Sequence, residues 1–312
     1  FLRYPDPDYD RPPGFDPEKV AYWMPVDQYM GGVEHAVMHL LYSRFFTRVL
    51  RDLGLVDFSE PFKRLFNQGI ILGPDGFRMS KSRGNVVNPD DYVRTMGADT
   101  VRCYLMFIGP WEGGGPWNPQ GINGVHKFLN RVWSLVSEPR TVHAVSPEAD
   151  TKLRRALHQT IRAVTDDLEK FRFNTMLAKL MTLTNVMQDA RGLVSDEAWD
   201  ETCRDLVLML APSAPHLAEE LWTNHLGRPY SVHQQPWPTW DEALAAEDEL
   251  TLPVTLNGKP RGELTVPVSM KDDQEAVKAR ALELPRIKQL VAGQTIRRVI
   301  YVPGKIVNIV AN

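Results

Sequence analysis

The sequence predicts an α/β segment, then an α-helical bundle, then a small α+β domain. Three observations carry this. Between residues 20 and 110 an apolar helical run, a short apolar strand and a capped helix start follow one another. From 118 to 226 four long stretches repeat apolar residues at helical spacing, with no alternating run between them. After residue 250 the pattern alternates, with turn residues between strand-like runs. At 312 residues the chain has room for two or three domains and a sizeable core.

The elements follow in order. The first ~20 residues, rich in Pro and Asp, read as a loop. "VEHAVMHLLYSRFFTRVLRDLG" (33–54) sets Val33, Val37, Leu40, Leu41, Phe45, Val49 and Leu53 at helical spacing, and Gly54 is placed to end one helix. "GIIL" (69–72) reads as a short buried strand. "NPDDYVRTMGADTVRCYLMF" opens with Asn88 as N-cap, Pro89 in the first helical position and two Asp in the first turn. The bundle helices are predicted at 120–137, 147–171, 174–191 and 196–226. In the second, Leu153, Leu157, Ile161, Val164 and Leu168 recur close to one helical face. The fourth contains Pro212 and Pro215, which should break it in two. Residues 226–250, rich in Pro, Trp and acid, read as a linker. In "LPVTLNGKPRGELTVPV" the Asn-Gly pair between two strand-like runs predicts a hairpin. Residues 271–291 read as one or two helices broken at Pro285, and "RRVIYVPGKIVNIV" as a second hairpin. The tail is therefore a β-β-α-β-β unit.

Composition narrows the class. Hydrophobic content of 43% and charged content of 24% are those of an ordinary soluble protein. No run approaches the ~18 apolar residues of a membrane span. The start, "FLRYPDPDYDRPPGFDP", has no signal-peptide pattern and no Met, and reads as the interior of a longer chain. Cys103 and Cys203 form neither a zinc cluster nor a disulfide framework, so a reducing, cytoplasmic location is expected. The net charge of −3 hides an asymmetry. Residues 250–312 hold ten Lys/Arg against five Asp/Glu, a net of +5, while the other 249 residues carry −8. Such a tail points to a polyanionic partner, with a solvated basic surface as the alternative.

Two stretches carry chemistry. In "DQYMGGVEHAVMH", His35 and His39 are four apart and would share a helix face. A metal pair, a ligand-facing helix start and a core helix with satisfied histidines all fit that spacing. Ala36 stands where a helical zinc-protease motif needs Glu, and no third ligand is evident. Gly31 and Gly32 would let a ligand approach the backbone. The second stretch, "RMSKSRGN" (78–85), packs three cations, two hydroxyls and a glycine into eight residues after an apolar run. Its residue types suit a mobile anion clamp, Lys acting as a point charge and Arg as a bidentate donor. The Walker order of glycines and Lys is absent.

"MSKS" after a strand resembles the second signature of class I aminoacyl-tRNA synthetases. "PVDQYMGGVEHAVMHLLYSRFF", "GADTVRCYLMFIGP", "FLNRVW", "LAPSAPHLAEELW" and "LNGKPRGELTVP…IRRVIYVPGKIVNIVAN" follow in the order found in leucyl-tRNA synthetases. The likeness runs from Phe1 to Asn312 and resembles the C-terminal portion of the bacterial-type family. It implies the C-terminal half of a class I Rossmann catalytic domain at 1–85 and a stem-contact connector at 86–117. A helical anticodon-binding domain at 118–245 and a small basic tRNA-binding domain at 250–312 would follow. It also implies ligation of leucine to tRNA(Leu) through leucyl-adenylate, with ATP and Mg²⁺ and no metal bound by this chain.

By the same resemblance Lys81 is the signature lysine, which stabilises the charge developing on leaving pyrophosphate. Arg78, Met79, Ser80 and Ser82 complete the ATP loop, Arg78 standing where the family usually has Lys. Tyr29, Gly32, Glu34, His35, His39 and Gln68 match positions lining the leucine and adenylate pocket. In the tail, Lys259, Arg261, Arg286, Lys288, Arg297, Arg298 and Lys305 are candidate tRNA contacts, each with an ordinary surface cation as its alternative. The first class I signature and the editing domain are absent from this sequence. The expectation is a fragment or subunit, inactive alone and completed by an N-terminal half in cis or as a separate chain. The other reading is a tRNA-binding module without catalysis, which would have no need of Lys81 or the pocket residues.

Overall fold

Proline and aspartate start the first helix, inside the stretch predicted as loop. Pro17 takes the first position of α1 (Pro17–Trp23), and the Asp16 carboxylate accepts from the Glu18 and Lys19 amides. In this computed structural model residues 1–246 and 249–312 are described. They divide into two units, Phe1–Thr239 and Trp240–Asn312.

The first unit opens with two parallel strand pairs. β1 (Tyr29–Gly32) passes through a 3-10 turn (Val33–Val37) into α2 (His39–Asp52), and β2 (Leu65–Gln68) returns beside β1. The helix predicted over 33–54 is thus interrupted. Met38 sits at φ −118°, ψ −101°, outside helical space. The tight turn that leaves β1 spends residues 33–37 before the α-helix can begin, and apolar spacing does not distinguish the two windings. β3 (Ile70–Leu72) leads through the Arg78–Asn85 loop to α3 (Pro89–Met96) and α4 (Ala98–Phe107), and β4 (Gly114–Pro116) pairs parallel with β3. Both pairs are joined by helical crossovers, as parallel strands require. Gly97, at φ +88°, separates α3 from α4. The two strand pairs meet at Gly69, whose amide donates to Trp111 O at 2.7 Å. A Cβ there would lie 2.1 Å from the Gly114 nitrogen, so only glycine lets these backbones approach.

The bundle follows as α5 (Gly121–Ser137), α6 (Pro147–Glu169), α7 (Phe173–Ala190), α8 (Asp196–Leu210) and α9 (Pro215–Glu220), the last continuing in a π-type turn, Leu221–His225. Ser146 and Ser195 cap α6 and α8. The break predicted at Pro212 and Pro215 falls between α8 and α9. Ile122, Leu153, Leu157, Ile161, Leu177 and Leu180 are fully buried. Each contributes about 1.5–3 kcal/mol by leaving water. Trp237 Nε1 donates to Thr165 Oγ1 at 2.8 Å and ties the segment after α9 to α6.

The second unit begins with α10 (Glu242–Ala245). Residues 247 and 248 of the predicted linker lie outside the described residues. β5 (Glu249–Leu256), β6 (Lys259–Pro267), α11 (Gln274–Glu283), α12 (Pro285–Val291), β7 (Ile296–Val302) and β8 (Ile306–Ala311) then follow. The sheet order is β6-β5-β8-β7, with antiparallel outer pairs and a parallel β5–β8 centre. The Asn-Gly turn holds positive φ at both residues, +50° and +76°. Asn257 also bonds Ala311 through both side-chain atoms, at 2.9 and 3.1 Å, which locks the turn onto β8. Leu252, Val254, Val266, Val277, Ile287 and Ile309 form the core of this unit. Among the described residues no helix is long and apolar enough to cross a membrane.

Candidate functional site

Parallel pairing of β1 with β2 sets Gly32 opposite Gln68. The turn after β1 folds Glu34 back over Gly32. A Cβ at Gly32 would meet Glu34 Oε2 at 2.2 Å, so glycine is what admits that carboxylate. At the start of α2, His39 Nδ1 lies 2.9 Å from the Tyr29 hydroxyl, and the two rings stack at 5.4 Å. Phe62 supports the Tyr29 ring at 4.4 Å. The His35 ring stands edge-on to His39 at 6.3 Å. Its Nδ1 is buried with no hydrogen-bond partner among the described residues. Tyr29, His35 and His39 therefore form one ring cluster beside Gly31, while Glu34 folds over Gly32, which pairs with Gln68. The shared helix face expected of His35 and His39 is replaced by the turn–helix junction at Met38. Among the described residues no group of three or more His, Cys, Asp or Glu is placed to hold a metal. A cleft of about 620 Å³ adjoins the β2 end, lined by Val33, Phe66, Gln68, Ile70 and Glu112 among others.

The charged loop is built as a short hairpin. Leu72 and Arg78 pair across it as an antiparallel bridge. The "GPDG" turn (73–76) closes it, with Gly76 at φ +77°. Asp75 then organises the interior. Its carboxylate accepts from the Phe77 amide at 3.1 Å and from Asn85 Nδ2 at 3.0 Å. Those bonds hold the Asp75 carboxyl below the usual carboxylate range, the Asn85 amide being the larger cause. Asn85 also accepts from the Ser80 amide at 2.8 Å. Ser80 starts a 3-10 turn over Lys81–Arg83 by accepting from the Arg83 amide, and its hydroxyl meets that of Ser82 at 3.2 Å. Met79 packs against the hydrophobic core of the unit. The Arg83 guanidinium lies 4.9 Å above the Phe77 ring. The exposed Arg78 and Lys81 side chains make no ion pair among the described residues. Hydrogen bonds centred on the Asp75 carboxylate thus frame the loop and leave Arg78 and Lys81 facing outward. Sequence reasoning placed Asn85 in this loop without a role and overlooked Asp75 and Phe77. The Gly-Pro-Asp-Gly turn pattern was the available signal.

The basic residues of the second unit are not brought together. Lys259 and Arg261 lie on β6 and Arg297 and Arg298 on β7, the opposite edges of the sheet. Arg286 and Lys288 are on α12, and Lys305 is in the β7–β8 turn. Lys288 pairs with Glu283, and Arg297 Nε donates to Asn312 at 2.9 Å. The Arg261 Nε is buried without a partner among the described residues.

The comparisons with known proteins point to class I tRNA synthetases. Residues 14–112 match the model of class I tRNA synthetases (I, L, M and V), and residues 150–277 that of the anticodon-binding domain of tRNA ligases. Leucine–tRNA ligases of Dehalococcoides mccartyi and Rubrobacter xylanophilus are 54% and 53% identical to this chain over 99% of its length. Along nearly its whole length the chain is similar to leucyl-tRNA synthetases. It aligns with the C-terminal portion of those synthetases and spans 38% and 37% of the two relatives' lengths. A LeuRS from Agrobacterium radiobacter, solved in a ternary complex with tRNA and LeuAMS, matches all of the chain and 40% of its own. Its TM-score is 0.78 at 37% identity. A methionyl-tRNA synthetase of Mycobacterium tuberculosis shares the fold, with a TM-score of 0.54 at 19% identity over 73% of this chain and 48% of its own. The architecture is that of a class I tRNA synthetase, α/β with an anticodon-binding domain.

Proposed function

We propose that this chain supplies the second catalytic signature and the tRNA-binding region of a leucyl-tRNA synthetase. The observation that carries the reading is the loop: Lys81 is exposed, with no ion pair among the described residues, on a frame of hydrogen bonds made by Asp75, Ser80 and Asn85. In the reaction a leucine carboxylate oxygen attacks the α-phosphorus of ATP, delivered with Mg²⁺, and the bond to the β-phosphate oxygen breaks. Negative charge gathers on the departing pyrophosphate. Lys81 neutralises that charge, with Arg78 beside it, and a preorganised cation needs no rearrangement as the charge grows. Tyr29, Gly32, Glu34, His35, His39 and Gln68 line the leucine and adenylate pocket. The leucyl carbonyl is then attacked by a hydroxyl of the terminal adenosine of tRNA(Leu), and AMP leaves.

The α2 surface supports completion of the catalytic fold by further polypeptide. Val37, Leu41, Tyr42, Phe45 and Phe46 are all more than half exposed. Contiguous apolar surface of that kind marks an interface. On this reading the chain alone does not activate leucine, and an N-terminal half carrying the first signature completes it in cis or as a separate chain. The tail would contact tRNA through its scattered cations rather than through one basic patch.

Leucine-dependent pyrophosphate exchange tests the catalytic assignment. In the complete enzyme Lys81→Ala should lower the exchange rate roughly 100-fold, the scale of losing one preorganised charge-stabilising group, and leave tRNA affinity unchanged. A loss confined to tRNA affinity would replace the reading with a non-catalytic tRNA-binding module. Normal exchange by the isolated chain would remove the need for a second half. Deletion of residues 250–312 should weaken tRNA binding and flatten its salt dependence, because fewer counterions are released. An unchanged salt slope would remove the tail from the interface.

A further inference from the structure

The α6–α7 connection carries a bulky residue where helix ends favour glycine. Phe171 sits at φ +55°, in the left-handed region. The surrounding hairpin holds it there. Its amide donates to Leu168 O at 3.2 Å and the next amide, of Arg172, to Asp167 O at 2.8 Å. Lys179 reaches the buried Asp167 carboxylate at 2.6 Å, and Asp166 pairs with both Lys170 and Arg172. A glycine would relax this backbone, so the phenyl ring must offset the strain through what it touches.

What it touches is the β2 strand. The Phe171 ring packs on Phe66 at 4.7 Å between centroids. It also meets Phe173 edge-on at 5.7 Å, and Phe173 meets Trp111 edge-on at 5.1 Å. Trp111 in turn accepts the Gly69 amide at 2.7 Å. Phe66 is two residues before Gln68, on the same face of β2. The rings therefore touch the strand at Phe66, and the main-chain carbonyl of Trp111, whose ring ends the aromatic chain, holds it just beyond Gln68. Both grips originate from one charge-locked hairpin of the bundle.

We infer that Phe171 is a positioning residue, one that sets the β2 strand and its Gln68 from the α6–α7 hairpin of the bundle. The inference rests on the reading of Gln68 as a wall of the leucyl-adenylate pocket. It assigns Phe171 no contact with substrate.

Phe171→Gly is the informative variant, because it removes the ring while relieving the backbone. In this chain, hydrogen exchange at the Gly69 amide should become roughly five- to ten-fold faster, the scale of losing one aromatic pair. Exchange at Leu157 and Leu180 should stay as in the parent. Phe66→Ala should give the same effect, and the double variant should exchange no faster than either single one. Unchanged Gly69 exchange, or equal acceleration throughout the bundle, overturns the inference. In the complete enzyme the KM for leucine should rise by a similar factor at unchanged kcat. A loss of kcat alone would mean only fewer folded molecules and would also overturn it. If the parent enzyme showed no leucine-dependent exchange at all, the pocket reading would fall, while Gly69 exchange would still decide the contact.

Discussion

Residues 1–85 and the bundle from α5 to α9 are built from similar apolar helices and end up opposite in burial. In α6 and α7, Leu153, Leu157, Ile161, Leu177 and Leu180 are 0% exposed. In and just before α2, Val37 is 75% exposed, Tyr42 72% and Phe45 67%. The buried cluster of the first region comprises only Leu2, Phe15, Val20 and Leu50. α2 contributes only Leu50 to that cluster, and on its exposed side Arg44 and Arg48 both reach Glu60 at 2.7 Å. The difference teaches that a helical period states which face is apolar but not whether this chain covers it. The bundle closes on itself, whereas α2 presents the surface on which, in the proposed function, the other catalytic half packs.

The contrast can be broken in four ways, from the largest expected effect to the smallest. Leu157→Ala should destabilise the first unit by about 2–5 kcal/mol in urea unfolding, while Leu41→Ala should cost at most about 0.5 kcal/mol in the isolated chain. Equal losses would mean that α2 is already covered. Phe45→Asp should be similarly silent in the isolated chain. When the remaining part of a family member's length is supplied, it should reduce recovered leucine activation by at least about ten-fold, the cost of losing one interface anchor. Full recovery would place the partner surface elsewhere.

Two smaller tests concern ionisation. Burial pushes the Cys103 and Cys203 thiols up to about 12. Alkylation of both at pH 8 should therefore await unfolding of the core shared by α4 and the bundle, and rapid native labelling would show that this core opens locally. In the first region, hydrogen bonds from Arg44 and then Arg48 lower the Glu60 carboxyl from 4.5 to about 2. Because the folded-state value is depressed, this contribution is present above pH 4.5 and is lost as pH falls through about 2. It should be small, since the Glu60 side chain is 44% exposed and screened by water. Glu60→Gln should remove it, and a carboxyl NMR titration with a midpoint near 4.5 would show that α2 is not clamped by this pair.

Local chemistry was legible in the sequence. Asn88 and Pro89 do start α3, Pro212 and Pro215 do divide the fourth bundle stretch, and Asn257-Gly258 does turn the β5–β6 hairpin. Each signal acts within a few residues, through a cap, a missing amide or a positive φ. Two local readings missed. The helix expected over 33–54 starts only at His39, and α1 begins inside a stretch taken as loop, because Pro and Asp serve caps as readily as turns. Within the candidate site the cations of "RMSKSRGN" were plain. The Asp75–Asn85 bonds that hold them outward join residues ten apart across a turn, which no periodicity reports.

By itself the sequence determined the cap that starts α3, the proline break between α8 and α9, which hairpins form in the tail, and that one short loop concentrates positive charge. These follow from backbone sterics and from side chains that reach their own neighbours. Only the tertiary structure decided that Gly32 faces Gln68, that Phe171 grips Phe66, that the tail cations lie on opposite sheet edges, and that α2 stays uncovered. Those outcomes depend on strand pairing and packing between distant segments. There an apolar or charged residue advertises a need for a partner without naming it.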